Sequence, residues 1–213
     1  MHLGDNTIPL THAMIYGAAS AAVVSAGVQK YYKNSKEKLD YKILSGVFVA
    51  FVFMITIFEI PMPFGSTEHP TGTPLMSIFM GPLITPFLST VVLLLELLFR
   101  EGAILTLGAN VFSLGIVGGL VGWSVFKLLR MMKCGLFIAG FFAGFLGDLC
   151  VYLTTATELA LGQLQGQSFW FYFLAFVPGQ VPLAIVEGIF TGLVLRFIYN
   201  RRPEMLKEFN VLE

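Results

Sequence analysis

Three histidines, at positions 2, 12 and 69, are the side chains whose type and spacing most directly suggest chemistry. If Met1 carries a free amino group, that nitrogen and the His2 amide nitrogen can close a five-membered ring on a metal ion. The same amide and the His2 Nδ1 can close a six-membered ring, and His69 could supply a fourth nitrogen. An all-nitrogen tetragonal set suits Ni²⁺ or Cu²⁺ and also admits Co²⁺, whereas Mg²⁺ and Ca²⁺ prefer oxygen. The residues alone leave two interpretations open: a metal site formed by Met1, His2 and His69, or a histidine at position 2 with no such role.

The metal-site interpretation depends on the amino terminus. A cleaved signal peptide begins with a basic region, but no Lys or Arg precedes Lys30. We therefore expect the mature chain to begin at or near Met1. We also expect Met1 to be retained, because removal of the initiator methionine requires a small second residue and His2 is large.

The usual catalytic motifs are not found in the sequence. It contains no G-x-x-x-x-G-K-[ST] for phosphate binding, no H-E-x-x-H zinc-protease motif and no G-x-S-x-G. Cys134 and Cys150 lie in or beside apolar runs, where buried packing is their expected role. We therefore expect neither catalysis nor a resident cofactor.

Four acidic residues fall within apolar runs. Glu59 and Glu96 lie near the ends of these runs, where a carboxylate can snorkel to the membrane surface. Asp148 and Glu187 lie deeper, where carboxylates are costly and usually face a cavity or a partner. Two roles stay open for this deeper pair: holding helices together, or taking part in transport.

Composition predicts the surroundings of these residues. Hydrophobic residues make up 56% of the 213 positions and charged residues 12%, which is too few charges for the surface of a soluble domain of this size. The net charge is zero, so no basic surface for nucleic acid is expected. We predict an all-α, polytopic membrane protein in which residues 1–213 form one transmembrane domain.

A membrane span needs about 20 apolar residues, and five stretches meet this requirement. A sixth, Pro74–Phe99, contains Gly81-Pro82 and is predicted to break there into two short helices. The five clear spans are Ile8–Val28, Ile43–Ile60, Ala109–Phe126, Leu136–Ala160 and Phe169–Tyr199.

Loop charge predicts the orientation, because cytoplasmic loops are enriched in Lys and Arg. Twelve of the 13 basic residues lie in or next to three connecting segments: the one after the first span, the turn at 126–134 and the tail. The loops at 61–73 and near 158–168 contain none. The loop at 61–73 is expected outside and the turn at 126–134 inside, so the chain between them must cross the membrane an odd number of times. Because Ala109–Phe126 crosses once, Pro74–Phe99 is expected to enter the membrane and return to the same side. This gives about seven helical segments, with the N-terminus outside and the C-terminus cytoplasmic.

Several segments, in order along the chain, resemble the CbiM/NikM family, the substrate-binding (S) components of energy-coupling factor transporters for cobalt and nickel. Met1-His2-Leu3 is similar to the family's M-H-I start. Four later segments are similar to its P-x-P-x-G, S-H-x-x-G, L-G-P and G-A-N-V-F motifs: Ile60–Gly65, Thr67–Gly72, Met80–Pro82 and Gly108–Phe112. Two segments near the end, Glu187–Gly192 and Arg202–Glu204, also resemble the family.

The resemblance implies a fold of six core helices plus an extra N-terminal helix, in the cell membrane of a prokaryote. It implies Ni²⁺ or Co²⁺ as the transported substrate, bound by the Met1 amino group, the His2 amide and imidazole, and the His69 imidazole. It also implies partners: a membrane coupling (T) protein, two cytoplasmic ATP-binding-cassette ATPases and, in some systems, a small accessory membrane protein.

Three other functions stay open at this stage. An S component for an organic micronutrient such as a vitamin predicts an aromatic-lined pocket. An intramembrane enzyme would use Asp148 and Glu187. A purely structural scaffold would need neither an aromatic-lined pocket nor the two carboxylates. The sequence leaves nickel and cobalt as equal candidates.

Overall fold

The computed structural model describes residues 2–36, 38–99, 103–162 and 166–212. Within these residues the chain is almost entirely helical, which confirms the all-α polytopic prediction. The helices are α1 (Leu10–Ser35), α2 (Leu39–Thr56), α3 (Thr73–Met80), α4 (Thr85–Leu98), α5 (Leu107–Met131), α6 (Leu136–Gly162), α7 (Phe169–Arg201) and α8 (Pro203–Glu208).

Five of the described helices, α1, α2, α5, α6 and α7, are long and apolar enough to cross a membrane. They correspond to the five spans predicted from hydropathy, with shifted ends. The largest shift is in α1, which continues to Ser35, so Lys30 and Lys33 lie on its last turns. In α5, the middle section Val111–Gly118 is wound as a π-helix.

The predicted break in the sixth apolar stretch is present. Helix α3 ends at Met80 and α4 begins at Thr85, and Gly81 between them has a φ of 82°, a conformation that costs glycine little. Helices of 8 and 14 residues extend about 12 and 21 Å, less than the roughly 30 Å hydrocarbon core. All eight residues of α3 are buried, as required for broken backbone at membrane depth.

Glycines set the closest helix contacts. A Cβ at Gly144 on α6 would lie 2.8 Å from the Glu187 carbonyl oxygen on α7, and one at Gly140 would lie 2.9 Å from Gly192 Cα. Small residues therefore let α6 and α7 pack backbone to backbone. The small residues of α1 differ, because Ala18 and Ala22 are exposed.

Three short strands cap one end of the helices. They are β1 (His2–Leu3), β2 (Ile60–Met62) and β3 (Ser66–Glu68), arranged antiparallel in the order β1-β3-β2. The start of α5 joins this end, because Leu3 bonds to Asn110. Strands this short carry no readable sequence period, and the sequence did not predict them.

Contacts place the basic segments at the opposite end. The Lys127 Nζ donates to the Asn210 carbonyl oxygen at 3.0 Å, and the Tyr41 and Phe209 rings stack with centroids 5.9 Å apart. The turn after α5, the start of α2 and the tail therefore meet there, away from the strands.

We predict that the strand-bearing end faces outward, because the basic segments gather at the other end. Cysteines introduced at Gln167 and at Lys36, both exposed, test this in a protein whose Cys134 and Cys150 are replaced by Ser and Ala. A membrane-impermeant maleimide applied to intact cells should label position 167 and should label position 36 only after permeabilisation. Labelling in the reverse order would contradict the orientation.

Candidate metal centre

Three potential metal-binding side chains converge at the strand-bearing end. One ligand atom from each of His2, Glu59 and His69 lies within 4.8 Å of the other two. Both imidazoles are buried, with His2 3% and His69 0% exposed. The structure therefore brings together the two histidines that the sequence singled out, whereas Met1 lies outside the described residues.

Strand pairing carries His2 to His69. Residue 2 pairs with Thr67 and Leu3 pairs with Ser66 in the antiparallel β1–β3 ladder, and the Gly4 amide donates to the Gly65 carbonyl at 2.8 Å. Side chains alternate along a strand. His2 lies opposite Thr67, which is two residues before His69. The strand pairing therefore brings His2 within reach of His69, just beyond the end of β3.

Asn110, near the start of α5, holds the other side of β1. Its Oδ1 accepts from the Leu3 amide at 2.7 Å, and its Nδ2 donates to the Leu3 carbonyl at 2.9 Å. The Thr106 hydroxyl donates to the same carbonyl at 2.8 Å. Strand β1 is thus bonded on one edge by β3 and on the other by α5, although it is only two residues long.

The hydrogen-bond partners of the two imidazoles define their tautomers. The His69 Nδ1 lies 3.0 Å from the Pro70 carbonyl oxygen, which can only accept, so this nitrogen carries the proton. The His2 Nε2 lies 3.0 Å from Glu59 Oε1, and an ionised carboxylate likewise only accepts. Both remaining nitrogens, His2 Nδ1 and His69 Nε2, therefore present lone pairs to each other.

These two nitrogens are 2.9 Å apart. Two lone pairs at this distance repel unless a cation, either a proton or a metal ion, lies between them. Nitrogens bound about 2.0 Å from one metal ion at right angles are about 2.8 Å apart. The spacing therefore fits adjacent ligands of a single transition-metal ion with little movement of either ring.

Glu59 acts on this pair through the far side of the His2 ring. The carboxylate is itself oriented by the Thr67 hydroxyl, which donates to the same Oε1 at 3.3 Å. A carboxylate bonded to the remote nitrogen of a ligating imidazole fixes the ring and raises its basicity. Glu59 thus supports the centre without having to be a ligand.

Burial holds the pKa of the His69 imidazole well below its usual range. The ring is therefore neutral near pH 7, and its Nε2 lone pair is available to a metal. Burial also raises the pKa of the neighbouring Glu68 carboxyl to about 7.

The structure corrects the interpretation of Glu59 and Glu96 as snorkelling residues. Glu59 contacts His2, and Glu96 is 1% exposed on α4. Asp148 accepts a 2.6 Å hydrogen bond from Gln180, and Glu187 bonds to the Thr71 segment. The third histidine, at position 12, lies on α1 and is not part of the three-residue cluster.

Sequence reasoning missed Glu59 and Asn110 as parts of this centre. Asn110 lies inside the G-A-N-V-F segment. The resemblance therefore singled out this segment but did not indicate that Asn110 bonds to β1. Glu59 had no comparable signal, because a single carboxylate at the end of an apolar run is also typical of a solvated helix end.

Fold and site together define a multi-pass membrane protein with a buried pair of histidines at one end. The chain belongs to the family described as "Cobalt uptake substrate-specific transmembrane region", whose profile matches residues 2–205. Members of this family with curated names occur in prokaryotes, so the chain is a multi-pass membrane protein of a prokaryote.

The relatives named "Cobalt transport protein CbiM" include proteins of two bacteria, Geobacter sulfurreducens and Sorangium cellulosum. The protein of Geobacter sulfurreducens is 37% identical over 219 residues, covering 100% of this chain and 63% of its own length. The chain thus spans less than two thirds of that relative. The protein of Sorangium cellulosum is 36% identical over 219 residues, covering 100% of this chain and 97% of its own.

Two crystal structures share the fold. A truncated transition-metal transporter superposes with a TM-score of 0.86 at 26% identity, covering 94% of this chain and 99% of its own. A second transition-metal transporter superposes with a TM-score of 0.83 at 25% identity, covering 100% of both chains.

We predict that Asn110→Asp releases β1. The new carboxylate replaces a donor with an acceptor facing the Leu3 carbonyl, and a buried polar group left unpaired costs about 1–3 kcal/mol. In metal-free protein, His2 should become reactive to diethyl pyrocarbonate, as read by peptide mass spectrometry, whereas it should stay protected in the parent. Asn200→Asp, at an exposed position, is the control. Continued protection of His2 in Asn110→Asp would contradict the role given to Asn110.

Proposed function

We propose that this protein captures Co²⁺ or Ni²⁺ at the outer face of the membrane, as the substrate-specific component of an energy-coupling factor transporter. One observation carries the proposal: two buried imidazoles hold the His2 Nδ1 and the His69 Nε2 2.9 Å apart. Such a nitrogen pair favours a transition-metal ion over Mg²⁺ or Ca²⁺.

The proposed ligands are the Met1 amino nitrogen, the His2 amide nitrogen, the His2 Nδ1 and the His69 Nε2. The first three belong to one short chelate, and strand pairing supports the approach of the fourth. Forming this set requires loss of protons from the ligand nitrogens, so binding releases protons. The names of the relatives favour cobalt as the substrate, while the nitrogen ligands are equally compatible with nickel.

The location of the site supports uptake rather than export. The cluster lies at the end away from the basic segments, which is the outer end under the positive-inside rule. A metal ion arriving from outside would reach it without crossing the helical core.

The energy for uptake is proposed to come from partner subunits. The sequence has no phosphate-binding P-loop, so we assign ATP hydrolysis to two cytoplasmic ATP-binding-cassette ATPases joined through a membrane coupling protein. A small accessory membrane protein could complete the assembly.

The contacts of two deep carboxylates weigh against an intramembrane enzyme. Asp148 bonds to Gln180, and Glu187 bonds to Thr71. Two carboxylates working together as acid and base would face a common substrate. Here each is engaged with a separate partner in the protein.

We predict that two extra N-terminal glycines abolish tight metal binding. The added residues turn the Met1 amine into an amide and move the free amine two residues away, so the five-membered chelate ring loses its basic nitrogen. A single added glycine is unsuitable, because histidine at the third position of a free chain end forms a new all-nitrogen chelate for Ni²⁺. His69→Ala removes a single ligand and should weaken binding less, and His12→Ala should bind like the parent. Isothermal calorimetry with Ni²⁺ and Co²⁺ measures all four proteins. Equal affinity of the glycine-extended and parent proteins would rule out the amino-terminal chelate.

We also predict that the isolated chain binds metal without accumulating it. Vesicles holding the chain alone should equilibrate or exclude radioactive Co²⁺, whereas vesicles that also hold the coupling protein and ATPases should concentrate it when ATP is supplied on the side bearing the ATPases. ATP-driven accumulation by the chain alone would overturn the assignment of energy coupling to partners.

A further inference from the structure

Glu187 is a buried carboxylate on α7 that reaches the metal-binding segment. It is 3% exposed and accepts three hydrogen bonds from two consecutive residues. The Thr71 amide donates to Oε2 at 2.7 Å, the Thr71 hydroxyl donates to Oε1 at 2.7 Å, and the Gly72 amide donates to Oε1 at 2.9 Å.

These two residues join His69 to helix α3. Gly72 precedes the first residue of α3 and has a φ of 63°, and a Cβ there would lie 2.8 Å from a Val52 methyl carbon. The segment therefore turns sharply in a confined space. Its backbone donors face Glu187 at the N-terminal end of α3, where a negative charge is favourable.

Glu187 is itself held in place. The position of a Cβ at Gly144 on α6 is 2.8 Å from the Glu187 carbonyl oxygen, and a Cβ at Gly188 would lie 2.7 Å from the Phe141 carbonyl oxygen. Helix α7 is thus fixed against α6 at the residue that bears the carboxylate. The segment after His69 is thus bonded to a residue of the close α6–α7 contact.

We propose that Glu187 is a positioning residue for the metal centre: through Thr71 and Gly72 it holds the His69 Nε2 at bonding distance from a metal ion bound by His2. The inference rests on the proposed function, since it assigns His69 as a ligand. Glu187 itself does not contact the metal.

Two substitutions distinguish a positioning role of Glu187 from a general effect on the stability of the protein. Glu187→Gln preserves the shape of the side chain but keeps only one acceptor oxygen. In either orientation of the amide, its NH2 group therefore faces at least one of the three donors of Thr71 and Gly72. Thr71→Val removes only the hydroxyl donor. Glu158→Gln is the matched control: it is the same substitution at a fully buried glutamate, on α6, whose oxygens accept no hydrogen bond from the described residues.

The experiment measures Ni²⁺ affinity by calorimetry and the Ni²⁺ d–d absorption spectrum in the full chain. It also measures amide hydrogen exchange of His69, Thr71 and Gly72 without metal. We expect Glu187→Gln and Thr71→Val each to weaken binding about 10-fold, the lower end for groups that orient ligands. The double variant should lose little more than the worse single one, because both act on the same contact. Exchange at these three amides should rise, the spectrum should shift, and Glu158→Gln should match the parent in all three.

Each other outcome has a definite meaning. If the parent binds neither Ni²⁺ nor Co²⁺, the proposed function fails and the positioning role fails with it. If the parent binds and Glu187→Gln binds equally well with an unchanged spectrum, only the positioning role is overturned. If Glu187→Gln does not fold, Thr71→Val decides: unchanged affinity and spectrum in that variant would overturn the proposal.

Discussion

The facing nitrogens of His2 and His69 are the constraint on which the rest of this structure depends. Two imidazole nitrogens 2.9 Å apart either share one proton or bind one metal ion, and each ring is oriented by a separate acceptor. The Pro70 carbonyl accepts from one ring and Glu59 from the other. The strands and the helix ends nearby serve to hold these two rings.

A two-residue strand would not stay in place alone, so the membrane helices stabilise it. Asn110 on α5 bonds both backbone groups of Leu3. Helix α3 begins at Thr73, four residues after His69, and all eight of its residues are buried. The buried start of α3 therefore gives the His69 segment a fixed attachment to the helical core.

The helices could be predicted from the sequence because hydropathy and the break at Gly81-Pro82 are local features of the chain. Sequence reasoning also paired His2 with His69, because so few nitrogen ligands are present and both fell in loops of the same predicted side. It missed the strands, since two or three residues show no alternation, and the π-helical section of α5, whose apolar pattern does not differ from an α-helix. The roles of Glu59 and Asn110 depend on partners 57 and 107 residues away, and no local pattern encodes such contacts.

The central claim is that a transition-metal ion is bound by nitrogen ligands alone. X-ray absorption spectroscopy of the Ni²⁺-loaded protein tests it most directly. We expect a four-coordinate, planar site with only nitrogen neighbours, at about 1.9–2.1 Å, and multiple-scattering features from two imidazoles. A six-coordinate shell dominated by oxygen, or a shell with no imidazole scattering, would contradict the account.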